Sequence, residues 1–225
     1  MLPPASGAAV LWLTLFFLSQ GHAIPEASKV VSTSTVVKVR LFYESYCPFS
    51  QRFITDQLWP TYEKLGKLVE IRLVPFGLAT MKNFTRKDAK KVIEIKCHHG
   101  NKECLANMIQ TCAIAMTSAR YKSLEYVNCM SLSKSPLDVA QACAGAIGLN
   151  WKIIDRCVKS KLGSLLFYKM GQKTWDLVPH ITYVPYIEVD GRHSKLFQEE
   201  AMSNLFGLVC SRLGSAKPDI CNVSQ

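Results

Sequence analysis

Nine cysteines, an odd number, follow an apolar leader in a chain of 225 residues, and no other feature limits the fold as strongly. Val10 to Leu18 form a short apolar run, and Gly21-His22-Ala23 offer small residues where a signal peptidase cuts. Residues 1–23 therefore read as a signal peptide, which leaves 24–225 as a single domain carrying a helical insertion at about 98–175. The leader is too short to cross a membrane, and no later stretch approaches the ~20 apolar residues that spanning requires. A chain sent into an oxidising compartment pairs its cysteines, and an odd count leaves one over. With Cys47 held out as a reactive thiol, Cys97, Cys104, Cys112, Cys129, Cys143, Cys157, Cys210 and Cys221 form an even set of eight. Eight cysteines pair in 105 ways; spacing singles out Cys210 with Cys221, which closes a short C-terminal loop. The sequons Asn83-Phe84-Thr85 and Asn222-Val223-Ser224 suit the same secreted or lysosomal destination.

The net charge of +10 belongs wholly to the part after Ala23. No Arg-rich helix or aromatic-interleaved basic stripe accompanies it, so nucleic acid is not an expected partner and the charge reads as a solvated basic surface. The sequence says nothing of oligomeric state.

Val36 to Tyr43 alternates as a strand, Ser50 to Leu65 has helical spacing interrupted at Pro60, and Val69 to Val74 alternates again. Strand, helix, strand predicts a right-handed parallel unit. Leu78 to Lys96 is basic and reads as a solvated excursion. Asn101 to about Met170 is helical and holds five cysteines, with breaks at Ser135-Pro136 and Gly148. Tyr186 to Val189 returns to strand character, Asp190-Gly191 signals a hairpin, Ser194 to Phe197 is its return strand, and Glu199 to Leu213 is a closing helix. The order is α/β with segregated halves, and its helical part reads as a disulfide-stapled insertion.

Cys47-Pro48-Phe49-Ser50 lies between the first strand and the first helix. Backbone N–H groups and the helix dipole there stabilise a thiolate, the nucleophilic form of cysteine. Pro48 suits a first helical turn, where its missing N–H has no partner to lose. Ser50 occupies the place of a second cysteine; its hydroxyl donates to a thiolate but cannot resolve a mixed disulfide. Val184-Pro185, before the strand at Tyr186, stands where a cis-proline loop would hold substrate beside the sulfur.

The segment from Cys97 to Cys112 reads Cys-x-His-Gly-x2-Glu-Cys-x2-Asn-x4-Cys and resembles the signature of the gamma-interferon-inducible lysosomal thiol reductase family. Val74-Pro75-Phe76-Gly77, Tyr183-Val184-Pro185 and Lys217-Pro218-Asp219-Ile220-Cys221 extend the resemblance over nearly all of the mature chain. It implies a thioredoxin-like fold, reduction of protein disulfides in an acidic endocytic compartment, and a link to immune processing. It also implies that Cys47 attacks while a partner cysteine resolves, and at the partner this chain departs with Ser50.

The leading reading is a thiol oxidoreductase that uses Cys47 against disulfide-containing proteins, with no bound cofactor and an external thiol such as glutathione as resolving reductant. The alternatives are a thiol-dependent binding or retention protein that captures partners as mixed disulfides, and a stapled scaffold whose redox chemistry has decayed. Cys97, His98, His99, Cys104 and Cys112 have zinc-ligand chemistry, but oxidation of the cysteines makes a metal site unexpected. Gly100 reads as a turn residue, Glu103 as a helix-start residue, and Asn107 as a cap or hydrogen-bonding residue. His180 reads as an ordinary residue near the proline loop, His193 as exposed, and Trp59, Trp151 and Trp175 as packing residues. Intact mass and N-terminal sequencing of the protein from a secretory host are expected to show a start near Ile24, four disulfides, and Cys47 either free or capped by a small thiol. Quantitative bridging of Cys47 in a non-reducing peptide map would overturn this count.

Overall fold

The structure, a computed structural model, describes residues 36–85 and 91–222, without the side chains of residues 83–85, 91 and 92. The expected leader, residues 1–23, lies outside the described residues, as does the Asn83 side chain. No helix among the described residues is long and apolar enough to cross a membrane.

Strand β1 (Val37–Tyr43) is the centre of a three-stranded sheet, parallel to β2 (Val69–Pro75) and antiparallel to β5 (Tyr186–Val189). Val37, Val39, Leu41 and Tyr43 are buried on one face against the helices that follow β1 and β5, whereas Phe42 is buried with Val74 and Tyr186 on the other. This period of two is why an almost wholly apolar strand ends between two layers. The helical run after β1 consists of α1 (Pro48–Phe53), a π-helical turn (Ile54–Leu58) and α2 (Trp59–Leu65). Pro60 has no N–H to give the carbonyl four residues back, and the wider turn lies at that gap.

Leu78 to Lys96 departs from the expected excursion. It holds two paired strands, β3 (Thr80–Thr85) and β4 (Lys91–Lys96), with Met81 opposite Ile95 and Lys82 opposite Glu94. Met81 and Ile95 pack against the Phe42 face of the sheet. The abundance of lysine hid an alternating apolar edge.

Five helices follow: α3 (Asn101–Met116), α4 (Arg120–Ser131), α5 (Pro136–Ile147), α6 (Trp151–Val158) and α7 (Lys161–Trp175). Pro136 opens α5 and Gly148, at φ +72°, ends it in the left-handed region, so both breaks fall as the sequence indicates. Ala106, Ile109, Ala113, Tyr126, Met130, Ala140 and Ile154 form a second core among these helices. The third core joins α7, through Phe167 and Met170, to Phe42, Val74 and Tyr186 on the sheet.

The Asp190-Gly191 turn forms, with Val189 and Arg192 exchanging both backbone hydrogen bonds, but the return strand does not. Ser194 instead caps α8 (Lys195–Leu213) by accepting from the Phe197 N–H at 3.1 Å. Phe197, Ala201, Leu205 and Leu208 recur at helical spacing and cover the sheet, which outweighs the hairpin signal. Trp59 and Trp151 are partly buried packing residues, but Trp175 is exposed on 45% of its surface, a correction to its expected role.

Four disulfides join Cys97 to Cys104, Cys112 to Cys157, Cys129 to Cys143 and Cys210 to Cys221, and Cys47 is free. The Cys112 to Cys157 bridge ties α3 to α6 across 45 residues, whereas Cys97 to Cys104 closes only 7. By the loop-entropy relation these closures contribute about 4 and about 2 kcal/mol. Replacing Cys112 and Cys157 together by alanine should therefore cost more stability in a urea titration than replacing Cys97 and Cys104. The reverse ranking would mean that the short bridge constrains native structure beyond its loop.

Candidate functional site

The sheet brings the proposed nucleophile and the proline loop together. Phe42 of β1 lies opposite Tyr186 of β5, so the turn after Tyr43 meets the loop before Tyr186. Cys47 occupies the residue before α1 with an extended backbone, its carbonyl accepts from the Gln51 N–H at 3.0 Å, and Pro48 begins the helix. The Val184–Pro185 bond is cis, and the Cys47 thiol points at the Val184 carbonyl at 3.8 Å. Cys47 is 6% exposed, so a partner sulfur has little open surface by which to reach it. Gln198 of α8 fixes the loop by donating to the Pro185 carbonyl at 2.9 Å and accepting from the Ile187 N–H at 3.1 Å.

Ser50 is fully buried in the first helical turn after Cys47, and its hydroxyl has no hydrogen-bond partner. A buried donor without an acceptor is costly. The hydroxyl can donate or accept, but it is not the sulfur that resolution of a mixed disulfide needs.

Polar side chains hold the turn from below, and of these the sequence singled out only Asn107. Gln51 donates to the carbonyls of Ser45 and Ser133 at 2.8 and 3.2 Å. Asn107, buried on α3, accepts from the Ser45 N–H at 2.9 Å, and Gln110 one turn later accepts from the Tyr43 hydroxyl at 2.7 Å. Burial pushes the Tyr43 hydroxyl pKa well above its ordinary value, so it remains a donor. Asn107 is thus a hydrogen-bonding residue, and its partner is the active-site turn.

Glu44 is the residue that sequence reasoning missed entirely. Its carboxylate is fully buried, accepts from the Leu78 N–H at 2.8 Å and presses on Gly77, where an added Cβ would lie 2.2 Å from the Glu44 Cγ. Gly77 also has φ +61°, so space and backbone conformation both require glycine there. Burial and the neighbouring Glu103 carboxylate raise the Glu44 pKa, against the lowering effect of the Leu78 N–H and of His98 and His99. Glu103 sits in the first turn of α3 and accepts from the His99 backbone N–H at 3.0 Å while meeting His99 Nδ1 at 2.6 Å. A glutamate three residues before a cysteine carries no pattern by which a sequence could flag it.

Other candidates fall elsewhere. His193 is half-buried rather than exposed: Nδ1 donates to the Ile187 carbonyl at 2.8 Å, which leaves Nε2 to accept from the Tyr183 hydroxyl at 2.9 Å. Its ring stacks on Tyr186 at 3.8 Å. His180 is exposed and lines a shallow cavity with Gly77, Leu78, Trp175 and Ile181. Asn222 is exposed near the described C-terminus.

The family description "Gamma interferon inducible lysosomal thiol reductase (GILT)" matches residues 38–147. A gamma-interferon-inducible lysosomal thiol reductase of Carassius auratus is 35% identical over 82% of this chain and 72% of its own length. GILT-like protein 1 of Drosophila melanogaster is 34% identical, with 83% and 78% covered. The Mus musculus lysosomal thiol reductase is 30% identical, with 84% and 73% covered. Among solved structures, DsbA of Chlamydia trachomatis superposes with a TM-score of 0.50 at 15% identity, covering 76% of this chain and 87% of that one. At that identity the likeness concerns the fold, which is thioredoxin-like.

Removing the Asn107 side chain should leave the Ser45 N–H buried without an acceptor. Asn107→Ala is expected to lower the unfolding free energy by about 1–3 kcal/mol in a urea titration with an unchanged slope. A change within error would mean that water or another acceptor replaces it.

Proposed function

Because this chain belongs to the gamma-interferon-inducible lysosomal thiol reductase family, we propose that it is a thiol oxidoreductase that attacks protein disulfides through Cys47 and is resolved by an external thiol. The observation that carries this reading is the free cysteine before α1, directed at the carbonyl beside a cis-proline, with Ser50 in the position of a resolving sulfur. Names of lysosomal thiol reductases among the relatives support an endocytic or secreted destination and a part in immune processing. The exposed Asn222 suits a glycosylated chain of that route.

The Cys47 thiolate attacks one sulfur of a substrate disulfide, forms a Cys47–substrate mixed disulfide and expels the other substrate sulfur as a thiolate. The Val184 carbonyl and the backbone beside Pro185 hold the substrate chain against Cys47. Ser50 stabilises the attacking thiolate and stops there. A small thiol of the glutathione class then attacks the Cys47 sulfur, releases the second substrate thiol and leaves Cys47 capped. A second equivalent restores the Cys47 thiolate and departs as the small-molecule disulfide. Two external thiols are oxidised for each substrate disulfide reduced, and no bound cofactor enters the cycle.

Reduction of a denatured disulfide-bonded protein, with and without glutathione, tests this reading. Without glutathione the natural protein is expected to stop at one mixed disulfide per Cys47, and with glutathione to turn over. Ser50→Cys should restore turnover without a small thiol, and Cys47→Ser should abolish adduct and turnover alike. Many turnovers by the natural protein in the absence of any small thiol would show that another cysteine resolves the intermediate.

A further inference from the structure

The Glu44 carboxylate has a second oxygen that the thiol chemistry does not use. Oε1 is engaged by the Leu78 N–H, but Oε2 is fully buried and lacks a hydrogen-bond partner. It is aimed at two imidazoles: His99 Nδ1 at 3.4 Å and His98 Nδ1 at 3.5 Å. One ligand atom from each of the three residues lies within 4.8 Å of the other two. The ligands of a tetrahedral zinc ion, bonded at about 2.0–2.1 Å, stand about 3.3 Å apart. Two of the three edges of such a site are therefore already present.

We propose that Glu44, His98 and His99 form a binding site for one divalent transition-metal cation of the zinc(II) class. The donor set of two imidazoles and a carboxylate suits such an ion, and the buried unpartnered oxygen gains the partner it lacks. His98 is 60% exposed at its side chain, which leaves a path for entry and a coordination position facing water. Binding requires the lone pair of His99 Nδ1, which now meets Glu103 Oε2 at 2.6 Å, so the proton in that contact passes to Nε2 or to solvent. Glu103 remains anchored by the His99 backbone N–H and supplies a second carboxylate beside the ion.

The expectation against metal rested on Cys97, Cys104 and Cys112 as ligands. Those sulfurs are consumed in disulfides, but the histidines between them meet a carboxylate from the β1–α1 turn instead. His98 stands at the unspecified position of the Cys-x-His-Gly signature, so the signature by itself does not require the pair of imidazoles. The site is three residues from the nucleophile and shares its turn, since the Cys47 N–H donates to the Glu44 carbonyl at 3.2 Å. The proposal does not depend on Cys47 being catalytic.

The test is calorimetric titration of zinc(II) into the metal-stripped, disulfide-intact secreted protein at neutral pH, with Cys47 alkylated beforehand. One equivalent is expected to bind, and His98→Gln, a substitution at the surface, should weaken binding by more than about tenfold. Glu44→Gln should abolish it, with circular dichroism as the check on folding. Cobalt(II) should give the visible absorption of a tetrahedral site without a thiolate charge-transfer band. No saturable uptake, or uptake that His98→Gln leaves unchanged, would overturn the assignment.

Discussion

The double pairing of β1 is the constraint on which the site depends. Because β1 is hydrogen-bonded to β2 on one side and β5 on the other, its C-terminal end is fixed against both the Pro75 turn and the Pro185 loop. Cys47 follows that end by four residues, too few for the turn to choose its own position. Gln198 then fixes the opposing loop from α8, and the sulfur and the Val184 carbonyl face each other as a consequence of strand register. Register is a strong determinant here, since a one-residue slip would exchange Phe42 with Leu41 and Tyr43 and bury the wrong face.

The helical insertion has a second role beyond covering the sheet. Its first helix sends Glu103, Asn107 and Gln110, residues at near-helical spacing, toward the end of β1. Asn107 and Gln110 meet Ser45 and Tyr43, while Glu103 meets the histidine turn beside Glu44. A buried polar face on a helix is stable only when each group finds a partner, and here the partners are the backbone and side chains of the active-site turn. The Cys97 to Cys104 and Cys112 to Cys157 bridges anchor α3 at both ends of this polar face. The disulfides thus hold a helix that itself holds the turn carrying Cys47.

In the proposed cycle Ser50 changes the division of labour at Cys47. A cysteine there would supply both an electrostatic influence on Cys47 and a sulfur for release, whereas a serine supplies only a donor. The hydroxyl is buried and has no hydrogen-bond partner, and in the proposed cycle the second half of the reaction passes to solvent-borne thiols.

The sequence by itself determined the even set of eight cysteines, the isolated Cys47, the strand–helix placement of that cysteine, the proline before Tyr186 and the helix breaks at Pro136 and Gly148. These are local signals: each depends on composition, on a period of two or 3.6, or on residues with special backbone geometry. Local signals misled where two competed, as when the hairpin signal at Asp190-Gly191 yielded to the cap at Ser194, and when lysines obscured the β3–β4 edge. Only the tertiary structure decided the remaining three disulfide pairings and the partners of Glu44, Gln51, Asn107 and Gln110. Those contacts join residues 62 and 67 positions apart in the cases of Asn107 and Gln110, and no periodicity in a chain encodes which distant polar groups will meet when its apolar faces are buried.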